Sequence, residues 1–401
     1  MDKEPLRLRF GHPLRLGVIG GGPGVWIGET HRTAAELDRW WRVVAGVFSS
    51  DAERSRAAGP QLGIDATRSY GDVAEMLEKE ARRSDPIDAV AIMTPNDAHY
   101  SYAAMALDAG LDVISDKPVS HDFAQACDLV ARVRNSRHLY AITHGYSAYP
   151  MTRYARHLAR SGELGALRFV QVEYIQSGLA TRIEDAPMSN RLRWVLDPER
   201  SGLALVMGAI GCHAQHLACA TTGLNVTRVC ADVRALMPGR KVIDYASALL
   251  ELDGNVRGTF TVTQAAAGGE NDIRLRVYGD KGMLDWSHRE ASYLHVAMQG
   301  EPVRIFGRGD PGLPPDVIAG GRSPRGHPEG LREAFANIYA EIAQERIARE
   351  LGIKIAPLSY PRIEEGAHTM AFIEACMASQ TRGGWVDVAK LPAESPESRV
   401  T

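Results

Sequence analysis

The chain has 401 residues, more than one ordinary hydrophobic core needs and enough for two. Hydrophobic residues make up 45% and charged residues 24%, which excludes a disordered or fibrous chain. With 46 basic against 49 acidic side chains, the net charge of −3 gives no general attraction to nucleic acid or an anionic membrane.

Residues 1–13 mix charged and apolar side chains without a signal-type apolar run. The most apolar stretch, residues 203–214, is interrupted by Gly208 and Gly211 and is too short to span a bilayer. The chain therefore reads as cytoplasmic. Its five cysteines, Cys127, Cys212, Cys219, Cys230 and Cys376, include no C-x-x-C pair, so they read as reduced thiols rather than a disulfide framework or zinc site.

Residues 1–147 alternate strand and helix signals. Strands are expected over residues 14–20, 41–48, 87–93, 112–115 and 139–143, and helices over 30–39, 73–82, 101–109 and 123–134. Continuous apolar strands between helices predict a parallel sheet covered on both faces, a doubly wound Rossmann domain. From residue 148 to 390 the pattern changes. After a helix over 151–161, strand-like runs follow one another at 167–176, 226–234, 246–252, 257–263, 273–278 and 283–286, with Asp253-Gly254-Asn255 as a hairpin signal. This predicts an α+β domain with a largely antiparallel sheet, for substrate binding and oligomerisation. Residues 307–327 read as a long loop, residues 331–351 and 362–379 as helices, and residues 391–401 as a polar tail.

Gly20-Gly21-Gly22-Pro23-Gly24 closes the first strand and precedes a helix. Glycines there let backbone N–H groups approach a pyrophosphate at the helix N-terminus. With Gly20 and Gly22 as the first two fingerprint glycines, the third position falls on Val25, and Gly24 lies one place earlier. At the end of the second strand stand Ser49 and Ser50, with Asp51 and Arg54 just beyond. Two hydroxyls and an arginine suit a 2′-phosphate, which leans the expected cofactor, NAD or NADP, toward NADP. In the other reading Asp51 is a helix N-cap and Arg54 a solvated helix residue.

Three further segments are Thr94-Pro95-Asn96-Asp97-Ala98-His99, Asp116-Lys117-Pro118 and Gly208-Ala209-Ile210-Gly211-Cys212-His213. In order and spacing they resemble the Gfo/Idh/MocA oxidoreductases, the family of glucose–fructose oxidoreductase and inositol 2-dehydrogenase. The resemblance runs from Gly17 to about Val386. It implies that Thr94, Pro95, Asn96 and His99 line the cofactor near its nicotinamide half. Asp116, Lys117 and Pro118 match the family's E-K-P, in which the lysine is the catalytic cation and the following peptide bond is often cis, so Asp116 and Lys117 are also expected at the cofactor, and Lys117 and His213 at the substrate. His213 matches the histidine of G-x-x-D-x-G-x-H, and the aspartate of that motif falls on Ala209. Arg193-Trp194 lies where relatives often have Trp-Arg near the nicotinamide.

The chemistry agrees with this. Hydride transfer from a secondary alcohol needs a base for the hydroxyl proton, and a lysine at a strand's carboxyl end beside a cationic nicotinamide is suited to give and take one. Lys117 and His213 are the expected catalytic pair. His216, Tyr146 and Tyr149 are candidates to replace the carboxylate missing at Ala209 and to touch substrate. No metal is expected. The expected function is hydride transfer between a nicotinamide cofactor and a hydroxyl or ketone of a sugar, inositol or related polyol. Two alternatives stay open: a glycoside-cleaving enzyme using transient C3 oxidation, and a non-catalytic dinucleotide-sensing regulator. An uncovered sheet face in the second domain predicts a homodimer or homotetramer, with a small-molecule substrate and neither nucleic acid nor membrane as partner.

Overall fold

A computed structural model describes residues 4–185, 187, 194–202 and 205–393. The first sheet contains β1 (Leu14–Gly20), β2 (Trp41–Val47), β3 (Ala89–Met93), β4 (Asp112–Ser115) and β5 (Tyr140–Ile142), all parallel, in the order β2-β1-β3-β4-β5. Every residue of β3, β4 and β5 is buried, as expected of strands covered on both faces. After a short α1 (Glu4–Phe10), the covering helices are α2 (Trp26–Leu37), α3 (Ala52–Gln61), α4 (Val73–Ala81), α5 (His99–Asp108) and α6 (Phe123–Arg134). The strand order reverses between β1 and β3, so a ligand crevice opens at their carboxyl ends.

A second sheet of nine strands follows α7 (Pro150–Ser161). Its strands are β6 (Leu167–Ile175), β7 (Val226–Arg234), β8 (Tyr245–Leu252), β9 (Val256–Thr263), β10 (Asp272–Gly279), β11 (Gly282–Ser287), β12 (Tyr293–Met298), β13 (Arg304–Gly307) and β14 (Val386–Asp387). The order is β13-β12-β11-β10-β6-β9-β8-β7-β14, antiparallel except where β6 meets β9. Period-2 burial along β6 and β8 turns one face to the core and leaves the other half exposed. The helices are α8 (Pro198–Ser201), α9 (Cys212–Thr222), α10 (Pro315–Ala319), α11 (Leu331–Glu350) and α12 (Ile363–Arg382). The region read as a long loop at 307–327 therefore contains one short helix.

The split at residue 147 is not clean in space. Tyr339 on α11 receives hydrogen bonds at its backbone carbonyl from the Trp41 indole (2.8 Å) and has its hydroxyl 2.8 Å from His31 Nδ1. Ala141 of β5 forms an isolated bridge with Arg362. The last two long helices thus return to the first domain, which the sequence periodicity could not reveal because it records only which residues are apolar.

Candidate active site

The glycine loop is built for close approach. A Cβ on Gly20 or on Gly22 would lie 2.6 Å from the carbonyl oxygen of Met93 or Phe48 respectively, so neither position admits a side chain. Gly24 has φ +77° and open space around it. The third fingerprint task, close helix–strand packing, falls to neither Gly24 nor Val25. Gly28, one turn into α2, performs it: a Cβ there would collide with the Gly21 backbone. α2 starts two residues after Gly24, which puts a helix N-terminus at the loop. Thr94 Oγ1, at the end of β3, is buried without a hydrogen-bond partner among the described residues, and its methyl lies 3.0 Å from where a Gly20 Cβ would be. A cradle that excludes side chains, a helix N-terminus and an unsatisfied hydroxyl fit a dinucleotide.

At the end of β2, Asp51 is the N-cap of α3 and accepts from the Arg54 backbone N–H at 2.8 Å. Ser49 Oγ in turn accepts from the Asp51 N–H at 3.1 Å. Ser50 and Arg54 are exposed at the rim.

The ends of β3 and β4 are tied together. His99 is 1% exposed, with Nδ1 2.6 Å from the Pro118 carbonyl oxygen and Nε2 2.8 Å from that of Thr94. Both ring nitrogens face backbone carbonyl oxygens, so His99 ties the two strand ends together. Asp116 is also committed to the loop: Oδ1 accepts from the Lys117 N–H (2.8 Å) and from Thr143 Oγ1 (3.2 Å). The Lys117–Pro118 bond is cis. Asn96 lies beside Gly208, with Nδ2 3.7 Å from where a Cβ would be on that glycine.

Lys117 crosses to the second domain. Its Nζ donates to the Ala209 carbonyl at 2.9 Å. That carbonyl lies in a π-helical turn, Met207–Gly211, which runs directly into α9. π turns interrupt the regular i→i+4 ladder and recur at functional sites.

His213, on the first turn of α9, meets an imidazole absent from the expected set. His144, just after β5, places Nδ1 3.4 Å from His213 Nδ1, with the rings edge-on at 86°. His216 stacks on His144 at 4.1 Å and 6°, is 3% exposed, and lies 3.6 Å from Glu365. It borders a cavity of about 460 Å³ whose lining includes neither Lys117 nor His213. Sequence offset on α9 could not show this, because His144 is 69 residues away from His213.

Tyr146 and Tyr149 also stand one layer back. The Tyr146 hydroxyl donates to Tyr174 (2.6 Å), Tyr174 donates to Asn271 Oδ1 (2.5 Å), and Asn271 Nδ2 donates back to Tyr146 (2.7 Å). This closed ring fixes the Tyr146 aromatic face 5.0 Å from His213, nearly perpendicular to it. Tyr149 is paired with His288 at 3.1 Å. Arg193 lies outside the described residues. Trp194 packs in a small apolar cluster with Leu179, Val195, Leu205 and Val242. Among the described residues, no group of three His, Cys, Asp or Glu side chains could hold a metal ion.

Burial pushes His144 and His213 well below the ordinary imidazole value, and the neighbouring imidazoles and Lys117 push the same way. His31, also buried, is lowered to about 4. The unfolded chain therefore binds more protons than the folded one between these depressed values and about 6.5. Stability is expected to be level above pH 7 and to fall as pH drops below 6.5. Urea midpoints between pH 8 and 5 check this. The slope should be shallower in His144→Gln, and a midpoint unchanged down to pH 5 would contradict it.

Comparison with known proteins follows this geometry. Residues 14–144 match the model of the oxidoreductase family with an NAD-binding Rossmann fold, and residues 152–285 match the GFO/IDH/MocA C-terminal domain. An uncharacterized oxidoreductase of Bacillus subtilis is 32% identical over 94% of this chain and 97% of its own. An inositol dehydrogenase homolog of Azotobacter vinelandii, solved with NAD+, superimposes with a TM-score of 0.90 at 33% identity, covering 94% of this chain and 98% of that one. An oxidoreductase of Sinorhizobium meliloti gives a TM-score of 0.84 at 38% identity, covering 93% and 99%. The two matched segments, the full-length relatives and the strand-end lysine together place the chain in the Gfo/Idh/MocA family of oxidoreductases.

Proposed function

We propose that the protein is a nicotinamide-dependent dehydrogenase that acts on a secondary hydroxyl of a sugar, inositol or related polyol. The observation that carries this reading is Lys117, which leaves the carboxyl end of β4 and bonds across the cleft to the turn that delivers His213. A bound nicotinamide supplies the hydride acceptor. Lys117 takes the hydroxyl proton, and His213 orients the hydroxyl. The Asp116, Thr143 and His99 contacts hold the lysine's backbone in place. Support for the substrate class comes from the Azotobacter vinelandii homolog, which has also been solved with NADH and myo-inositol at 32% identity and a TM-score of 0.87. Absorbance at the reduced-nicotinamide band, followed across a polyol and glycoside panel, tests the reading. Net reduction supports it, aglycone release without net reduction favours glycoside cleavage, and neither favours a dinucleotide sensor.

NAD serves as cofactor in this reading, and the rim at Ser49, Ser50 and Arg54 also admits a 2′-phosphate. NADP is expected to bind at least as well as NAD, and Arg54→Ala should lower NADP affinity about tenfold, the equivalent of one charge-assisted contact. Titration of both cofactors into both proteins checks this. Tighter NAD binding in the wild type, or unchanged NADP affinity on losing Arg54, would overturn it.

The same reading includes self-association. The outer face of the nine-stranded sheet carries exposed Leu249, the Phe169–Tyr278 pair and an Arg274–Asp285 ion pair, the mixture of an interface rather than a fully solvated sheet. Sedimentation at micromolar concentration is expected to show dimers or tetramers and no monomer. Monomer alone would refute it.

A further inference from the structure

Among the described residues, Lys117 Nζ reaches the site without a carboxylate partner. Among the described residues its only hydrogen-bond acceptor is the Ala209 carbonyl, and no acidic side chain lies within ion-pair distance. The nearby acids are otherwise committed. Asp116 holds the backbone of its own loop, and Asp97 is paired with Arg200 at 3.1 Å. The imidazoles at 144 and 213 are held uncharged by burial and by the field of Lys117 itself. A bound nicotinamide cation would add a second positive charge. Once Lys117 is protonated, its ammonium has a carbonyl but no carboxylate at hydrogen-bond distance among the described residues, and a half-buried charge of that kind is costly unless something arrives to pair with it.

Ala209 is half-buried and presents only a methyl group next to the carbonyl that Lys117 grips, and Gly208 before it has no side chain. The Asn96 amide lies beside the same turn and can donate a hydrogen bond. We propose that the substrate supplies the missing charge: the hydroxyl compound oxidised here carries a carboxylate, which pairs with Lys117 beside Ala209 and Asn96. The inference rests on the dehydrogenase reading above and narrows its substrate to a polyhydroxy acid.

The chemistry balances. The carbinol C–H bond breaks, and hydrogen leaves with its electron pair to the oxidised nicotinamide, which is reduced. The O–H bond breaks, its proton goes to the Lys117 amine, and the C=O double bond forms. The carboxylate is unchanged. It stabilises the ammonium at the moment that charge forms, which is where electrostatic help lowers the barrier.

The test pairs each neutral polyol with its acid: glucitol with gluconate, galactitol with galactonate, glucose with glucuronate. Wild-type kcat/KM is expected to be at least tenfold higher for one acid than for its neutral partner. Ala209→Asp should reverse that preference. Ala209→Asn, equal in size and uncharged, should keep it. The binding arm uses the protein loaded with NADH, titrated calorimetrically with the same pairs. Tighter binding of the acid, lost in Ala209→Asp and weakened by salt, supports the proposal. Equal or tighter binding of the neutral member in the wild type overturns it. If no compound is turned over, the dehydrogenase reading fails, and the binding arm still decides the charge preference on the wild type alone.

Discussion

Lys117→Ala is expected to lower turnover by about 10²- to 10⁴-fold, the usual contribution of a positioned acid/base group, with dinucleotide affinity nearly unchanged. The separation follows from where the side chain goes. Lys117 Nζ reaches away from the glycine loop to the Ala209 carbonyl in the second domain. The loop's own contacts are made by Gly20, Gly22 and Gly28 with strand and helix backbone. Under the proposed roles, cofactor affinity is expected to be independent of Lys117 and proton transfer to depend on it. Lys117→Arg keeps the charge and should recover little activity, because a guanidinium cannot give up its proton near neutral pH. Stopped-flow turnover across pH and fluorescence titration of the dinucleotide read the two effects apart. Wild-type kcat in Lys117→Ala at every pH would remove the lysine from the chemistry.

His213→Ala is expected to lower kcat/KM by about 10²-fold or more, again without loss of cofactor affinity. His213 is only 9% exposed and is held on two sides, by His144 at Nδ1 and by the perpendicular Tyr146 ring. In the proposed role, Nε2 meets the substrate hydroxyl. Asn271→Leu, which opens the Tyr146–Tyr174–Asn271 ring, should produce a smaller loss in kcat with the same cofactor affinity, because it loosens the support and leaves the imidazole in place. Dialysis against a strong chelator should leave wild-type activity intact. Chelator-sensitive activity restored by zinc, or a fully active His213→Ala, would contradict this role.

Much of the first domain was legible because its signals are local. Continuous apolar strands, a glycine turn and strand-end Thr-Pro-Asn and Asp-Lys-Pro segments lie within a few residues of one another, and the sheet order follows from their alternation with helices. The sequence left the third fingerprint position on Val25 with Gly24 one place earlier, and did not point to Gly28 because that glycine lies inside the helix and only its contact with the Gly21 backbone reveals its task. A glycine within an expected helix was the available signal. His144 was missed although it follows a strand of the same sheet, as Thr94 and Lys117 do. The rule that ligands gather at the carboxyl ends of such strands would have found it. Tyr174 and Asn271 were beyond reach, since on a strand of period 2 nothing distinguishes a core tyrosine from one that supports a histidine. The partners of His99, His216, Tyr146 and Tyr149 were not legible because pairing is a property of space: each has its polar atoms engaged or shielded by residues distant in sequence.

The most direct test of hydride transfer uses a polyol or polyhydroxy acid deuterated at its carbinol carbon, mixed with protein and oxidised dinucleotide. Proton and deuterium NMR of the recovered cofactor should show deuterium at C4 of the reduced nicotinamide, in equal amount to the ketone formed, and the same transfer slowed by about 10²- to 10⁴-fold with Lys117→Ala. Ketone formation without deuterium at C4, or no transfer from any compound that binds, would contradict the assignment.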